Sequence, residues 1–204
     1  YSLRWFTPVT EIDLCGHATL STAYVISKFI DPSADEMRFE TKSGLLTVTK
    51  NDDMYILDFP SSNAKKCEVT KAMEQAIGCS VNEAYVSRDL MLLLDSEQQV
   101  LKISPDFSQI AKIAEHGVIV TAKGDTVDFV SRFFAPNVGV CEDPVTGSIH
   151  TALIPYWARK LNKKSMISRQ LSKRGGTLFC EDCGERVKIG GNAVLYLKGE
   201  IFVN

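Results

Sequence analysis

With 204 residues, 45% apolar and 24% charged, the chain has the composition of one or two compact domains, which excludes a disordered or collagen-like protein. A formal charge of −2, from 23 basic and 25 acidic residues, argues against the basic footprint of a nucleic-acid binder and for a small neutral or zwitterionic partner. The longest purely apolar run, Leu90–Leu94, is far shorter than the ~20 residues of a membrane-spanning helix, so no membrane partner is expected.

The chain opens on Tyr1-Ser2-Leu3-Arg4-Trp5-Phe6 without an initiator Met, which reads as the interior of a strand and suggests a fragment or a processed product. Leu3–Phe6 is expected to be a short strand stopped at Thr7-Pro8, and Ala18 to Ile30 a buried helix entered through Gly16-His17. Strands are predicted at Met37–Glu40, Leu45–Thr49 and Met54–Phe59, the last two joined as a hairpin by Lys50-Asn51-Asp52-Asp53. The stretch Pro60 to Lys66 mixes Pro, small polar residues and charge, and is read as a linker dividing residues 1–63 from 64–204.

Beyond the linker, Val69–Ile77 fits a helix ended by Gly78, and Ala84–Ser87, Met91–Leu94 and Val100–Ile103 fit strands. Ser104-Pro105-Asp106 reads as a capped start of a helix to about Glu115. Val118–Ala122 and Val127–Phe134 are expected strands, Ser148–Leu161 a helix, and Thr177–Cys180, Arg186–Ile189 and Ala193–Val203 strands, the last returning to the first domain. Helices mixed with several hairpins make the class α+β.

An internal repeat organises these elements. Arg4-Trp5-Phe6-Thr7-Pro8 matches Arg132-Phe133-Phe134-Ala135-Pro136, and each is followed by an acidic loop and a Gly that opens a helix, Gly16 and Gly147. Two such halves are expected to pack about a pseudo-two-fold axis. Their helix starts would then face one another across a cleft, an anion pocket suited to a small carboxylate.

Cys15, His17, Glu142, Asp143, Thr146, Ser148 and His150 cluster in and just beyond these turns. His17 can move or orient a proton, and the helix dipole would bias it toward the neutral form. Asp143 is an acid placed before a helix start, and Ser148 a binder of substrate carboxylate or a cap, with no elbow motif that would make it a nucleophile. His150, one turn into its helix, reads as packing, and Cys15 as an inert thiol or a thiolate base. Cys180-Glu181-Asp182-Cys183 has metal-ligand spacing but no second pair, so no metal is expected, and nothing in the sequence asks for a cofactor. The six scattered cysteines read as reduced thiols of a cytoplasmic protein.

The two motifs, Arg4 to Pro8 with Leu14 to Leu20 and Arg132 to Pro136 with Glu142 to Ser148, resemble the signatures of the phenazine biosynthesis PhzF-like family across essentially the whole chain. The resemblance implies the diaminopimelate epimerase-like fold: two pseudo-symmetric domains, each with a barrel-like sheet around a central helix and the active site between them. It also implies a cofactor-independent isomerase that shuttles a proton on a small carboxylate, and a homodimer. His17 and Asp143 become catalytic residues, Ser148 a binding residue, and the amides at Gly16 and Gly147 the carboxylate grip. In diaminopimelate epimerase two cysteines serve as bases. Here Cys15 stands at one of those places and Asp143 at the other, against a two-thiol mechanism.

The family's principal acid/base Glu lies in a stretch upstream of the first motif that this sequence does not contain, so the isolated chain is expected to be inactive. Two other readings stay open: a non-enzymatic ligand-binding or protein-interaction protein with the same pocket, and an amino-acid racemase using Cys15.

Overall fold

The computed structural model describes residues 1–200 and 202. Strands β1 (Trp5–Phe6) and β2 (Glu11–Ile12) pair antiparallel and lead into helix α1 (Gly16–Val25). The helix predicted to Ile30 loosens into a π-helical turn at Ile26–Ile30. A meander follows, β3 (Glu36–Thr41), β4 (Gly44–Asn51) and β5 (Met54–Pro60), with Asp52 in the left-handed region at the predicted hairpin tip.

Within the predicted linker, Lys65–Cys67 forms a strand, β6. Helix α2 (Lys71–Ile77) is capped by the Thr70 hydroxyl, which accepts the Met73 N–H, and is closed by Gly78 at φ 74°. Strands β7 (Glu83–Val86) and β8 (Leu90–Leu93) follow.

Val100–Ile103, predicted as a strand, lies instead in or just beyond helix α3 (Glu97–Lys102). Ser96 caps that helix on the Gln99 N–H, Glu97 and Lys102 suit its two dipole ends, and Val100 alone is buried, so capping chemistry outweighs the apolar run. Helix α4 (Phe107–Ile113) is capped by the Asp106 carboxylate, which accepts from the Ser108 and Gln109 N–H groups. The predicted Ser104 cap and Pro105 first turn therefore lie outside it.

Strands β9 (Val118–Lys123) and β10 (Phe129–Phe134) precede the long helix α5 (His150–Leu161), which starts two residues later than predicted. The chain ends in β11 (Ser165–Gln170), β12 (Gly176–Asp182) and β13 (Arg186–Asn192). Strand β11 was not foreseen: its buried positions are Met166, Ser168 and Gln170, so its period-two pattern is mostly polar and invisible to an apolar count. The strand expected at Ala193–Val203 is absent over residues 193–200, which pair with nothing among the described residues. Val194, Tyr196 and Leu197 are exposed there, and residues 201 and 203 lie outside the described residues.

Among the described residues eleven strands form one sheet in the order β3-β4-β5-β13-β12-β11-β10-β9-β8-β7-β6. Pairs β8–β9 and β10–β11 are parallel and the others antiparallel, as an α+β chain rich in hairpins requires. The 1–63 and 64–204 segments meet where β5 pairs with β13. One core gathers Trp5, Phe39, Leu46, Phe59, Phe129, Leu153 and Trp157, and a second gathers Ile77, Leu92, Ile110, Val120 and Phe134.

Helix α5 is buried at nine successive residues, His150 to Ala158, as a helix enclosed on all sides must be. Pro155 inside it has no N–H, which frees the Thr151 carbonyl, and the Ser62 N–H donates to that carbonyl at 2.9 Å. The segment read as a linker is thus stitched to the helix at the interior carbonyl that Pro155 leaves free.

The repeat recurs in atomic detail. Arg4 forks onto Glu11 through Nε at 2.9 Å and Nη2 at 3.1 Å, and lies 5.0 Å from the centre of the Phe6 ring. Arg132 forks onto Glu142 through Nε at 2.7 Å and Nη2 at 3.1 Å, and lies 5.0 Å from the Phe134 ring. The first aromatic of each copy, Trp5 and Phe133, is buried. The copies differ in energetic weight: Arg4 is largely in water, whereas Arg132 is mostly covered and also donates to the Val100 and Ile103 carbonyls. The second pair therefore locks its lobe, while the first is a screened surface pair.

Candidate functional site

Two helix starts meet at the centre of the molecule. Cys15 holds extended backbone before α1 and offers no side-chain cap to the N–H groups of the first turn. The Gly147–Ile149 turn likewise has no side-chain cap before α5, whose first bond in this region is from the His150 N–H to the Gly147 carbonyl.

The two turns touch through glycine. A Cβ placed on Gly16 would stand 2.7 Å from the Gly147 Cα, and one placed on Gly147 would stand 2.8 Å from the Gly16 Cα. Only hydrogen fits at either position, and the reason is close backbone approach rather than a left-handed φ. The predicted convergence of the two helix starts is therefore present in the fold.

Around this contact lies a cavity of about 270 Å³. Cys15, Gly16, His17, Asp143, Thr146, Gly147 and Ser148 supply its polar side, and Phe6, Ile12, Leu14, Phe133, Val138 and Val140 its apolar walls. Of the seven residues expected at the site, all but Glu142, which is held by Arg132, and His150 border it.

His17 departs from the expected charge state. Its Nε2 lies 3.6 Å from Cys15 Sγ, and Nδ1 donates to the Val145 carbonyl at 3.1 Å. The hydrogen bond with Cys15 leads, the charges of Cys15 and Asp143 and the Val145 carbonyl add to it, and together they outweigh burial and raise the imidazole to about 8. The dipole argument, which favoured a neutral ring, is overridden by these three nearby acceptors.

Asp143 is set by its loop: Oδ2 accepts the Thr146 hydroxyl at 2.6 Å, and its backbone N–H donates to the Phe133 carbonyl. Gln170, fully buried on β11, clamps this loop from below. Its Oε1 accepts the Thr146 N–H, and its Nε2 donates to the Asp143 carbonyl and the Thr146 hydroxyl.

His150 is a core residue, as read. Nδ1 donates to the Thr146 carbonyl at 2.8 Å and Nε2 accepts the Ser168 hydroxyl at 2.9 Å, while burial pushes the ring down to about 4, so it is neutral. It supports the Thr146 turn from within. Cys180 is buried beside Ser168, with burial raising its thiol to about 12, whereas Cys183 sits exposed at a hairpin tip. Among the described residues no group of three or more His, Cys, Asp or Glu could hold a metal.

Besides Gln170 and Ser168, three residues nearer the cavity carry no signal in the sequence. His116 lines the cavity, and Asp89, only 4% exposed, accepts from His116 Nδ1 at 2.6 Å and from Arg88 Nη2 at 2.7 Å. Arg88 Nη2 also donates to Ser148 Oγ at 3.1 Å. Among the described residues no helix is long and apolar enough to cross a membrane.

Comparison with known proteins agrees with this geometry. The family model described as phenazine biosynthesis-like protein matches residues 1–199. An uncharacterised isomerase of Pseudomonas aeruginosa is 48% identical, over 98% of this chain and 77% of its own length. A crystal structure of a PhzF-family phenazine biosynthesis protein from Enterococcus faecalis superposes with a TM-score of 0.95 at 48% identity, covering 100% of this chain and 78% of that one. A predicted epimerase of Pseudomonas aeruginosa shares the fold at a TM-score of 0.72 and 17% identity, over 100% of this chain and 79% of that one. The chain accordingly belongs to the phenazine biosynthesis-like PhzF family and has its diaminopimelate epimerase-like α+β fold, two pseudo-symmetric halves whose helix starts enclose one cavity.

Proposed function

We propose that this protein is a cofactor-independent isomerase that moves a proton on a small carboxylate bound between the two halves. The observation that supports the reading is the contact of Gly16 with Gly147, which brings two helix starts together at the border of one cavity that His17, Asp143 and Ser148 also line. The isomerase and epimerase names of its relatives support the same class.

The substrate carboxylate accepts hydrogen bonds from the amides around Gly16 and Gly147 and from the Ser148 hydroxyl; bonds to a charged group contribute roughly 1.5–3 kcal/mol each. Its apolar body lies against Phe133, Ile12 and Val140. Charge that develops when the adjacent carbon loses its proton is delocalised toward the gripped carboxylate and stabilised there. His17, a cation at neutral pH, gives a proton, and Asp143 holds or accepts one.

Solvent exchange at carbon tests this. Small carboxylates incubated in D₂O with the complete gene product, which carries the upstream Glu, are expected to acquire deuterium at the reacting carbon by NMR, with the rate falling at least about 100-fold in His17→Ala. Equal exchange in wild type and variant would remove His17 from the chemistry, and no exchange by the wild type would overturn the isomerase reading.

A further inference from the structure

The cluster of Arg88, Asp89 and His116 lies outside the repeated motifs, yet it reaches the cavity at two points. Asp89 is buried and divides its carboxylate: Oδ2 accepts from Arg88 Nε at 3.0 Å and Nη2 at 2.7 Å, and Oδ1 accepts from His116 Nδ1 at 2.6 Å. His116 is further held against the Phe133 ring, at 6.5 Å between centroids and nearly parallel, and its ring borders the cavity.

Arg88 passes the same constraint to Ser148. A guanidinium only donates, so the Arg88 Nη2 contact at 3.1 Å occupies a lone pair of Ser148 Oγ and directs the hydroxyl proton away from Arg88. Ser148 is 6% exposed and borders the cavity, and its hydroxyl proton meets no acceptor among the described residues. A donor thus oriented has only a ligand to satisfy it.

We propose that Asp89 is a buried junction that aims two cavity side chains, Ser148 through Arg88 and His116 directly, so that Arg88 and Asp89 are positioning residues and His116 a specificity-determining wall for the carboxylate ligand. This rests on the carboxylate site proposed above. A fixed hydroxyl donor selects an anionic oxygen at one end of the ligand. The His116 edge, with Nδ1 committed to Asp89, selects a polar group at the other.

A double-mutant cycle on binding of benzoate tests the junction; benzoate serves as probe because it joins a carboxylate to an apolar body, as the cavity walls demand. Ser148→Ala and Arg88→Gln are each expected to weaken benzoate binding about tenfold, and the double variant to be no weaker than Ser148→Ala alone, because Arg88 acts through that hydroxyl. Arg88→Lys, which keeps one donor, should recover part of the loss, and thermal melting identifies any variant that fails to fold. In ¹⁵N NMR spectra the His116 proton should sit on Nδ1 in the wild type and lose that preference in Asp89→Asn.

Additive losses from Ser148→Ala and Arg88→Gln, or an unchanged His116 tautomer in Asp89→Asn, would overturn the junction, as would a wild type that ignores benzoate. Failure of the isomerase reading looks different: the coupling and the tautomer survive while no carbon-bound hydrogen exchanges.

Discussion

Gly147→Ala is expected to give a folded but destabilised protein with at least about a 100-fold loss of carbon–hydrogen exchange, the scale of misplacing a reacting group by roughly 1 Å. The new Cβ would stand 2.8 Å from the Gly16 Cα, and backbone cannot rotate away as a flexible side chain can. The two helix starts must part, at the usual overpacking cost of about 1–3 kcal/mol. For a chain of this size that lowers Tm by roughly 2–4 °C per kcal/mol. Gly16→Ala should behave alike, since its Cβ meets Gly147 at 2.7 Å. Calorimetry and exchange rates measured together check this. Full activity in either variant would mean that the contact is incidental to binding.

Asp143→Asn should cut exchange by roughly 10²–10⁴, the range for losing a general acid or base, and should leave the fold intact. The Asn carbonyl can still accept the Thr146 hydroxyl, and Gln170 holds the loop through backbone and Thr146 rather than through the Asp143 side chain. The surviving activity should keep a basic limb set by His17, moved to lower pH than in the wild type because the Asp143 charge no longer helps to raise the ring. That ring is raised to about 8 chiefly by Cys15, so it is protonated below this pH and loses its charge as pH rises through it. Activity that needs the cation therefore falls above about 8. In Cys15→Ala the limb should move to lower pH, because the leading cause of the raised value is gone. A flat profile, or a limb unmoved by Cys15→Ala, would show that the charge on His17 is not used.

The features legible in the sequence were those written locally. Arg4 and Arg132, each with an aromatic pair and a Pro, recur at short range, and their shared geometry extends to the fork on an acid and the ring two residues on. The glycines at 16 and 147 followed from the same repeat. What stayed hidden is assembled by strand pairing. The parallel register of β8 and β9 sets Leu90 beside Val118, and the Leu90 N–H bonds to the Gly117 carbonyl, so Asp89 and His116 become neighbours although 27 positions separate them. Gln170 and Ser168 were missed for a different reason: they are polar residues at the inward positions of β11, where an apolar pattern gives no sign of a strand. A dipole alone points to a neutral His17, whereas the Cys15, Val145 and Asp143 partners that the fold brings to the ring keep it charged.

The convergence of two helix starts on one carboxylate is measured most directly by backbone amide NMR during a benzoate titration. The amides of Gly16 and His17 and those of Gly147 and Ser148 should shift together and report one common Kd, because both turns bind the same group. Shifts confined to one turn, or two turns that saturate at different concentrations, would contradict a shared grip.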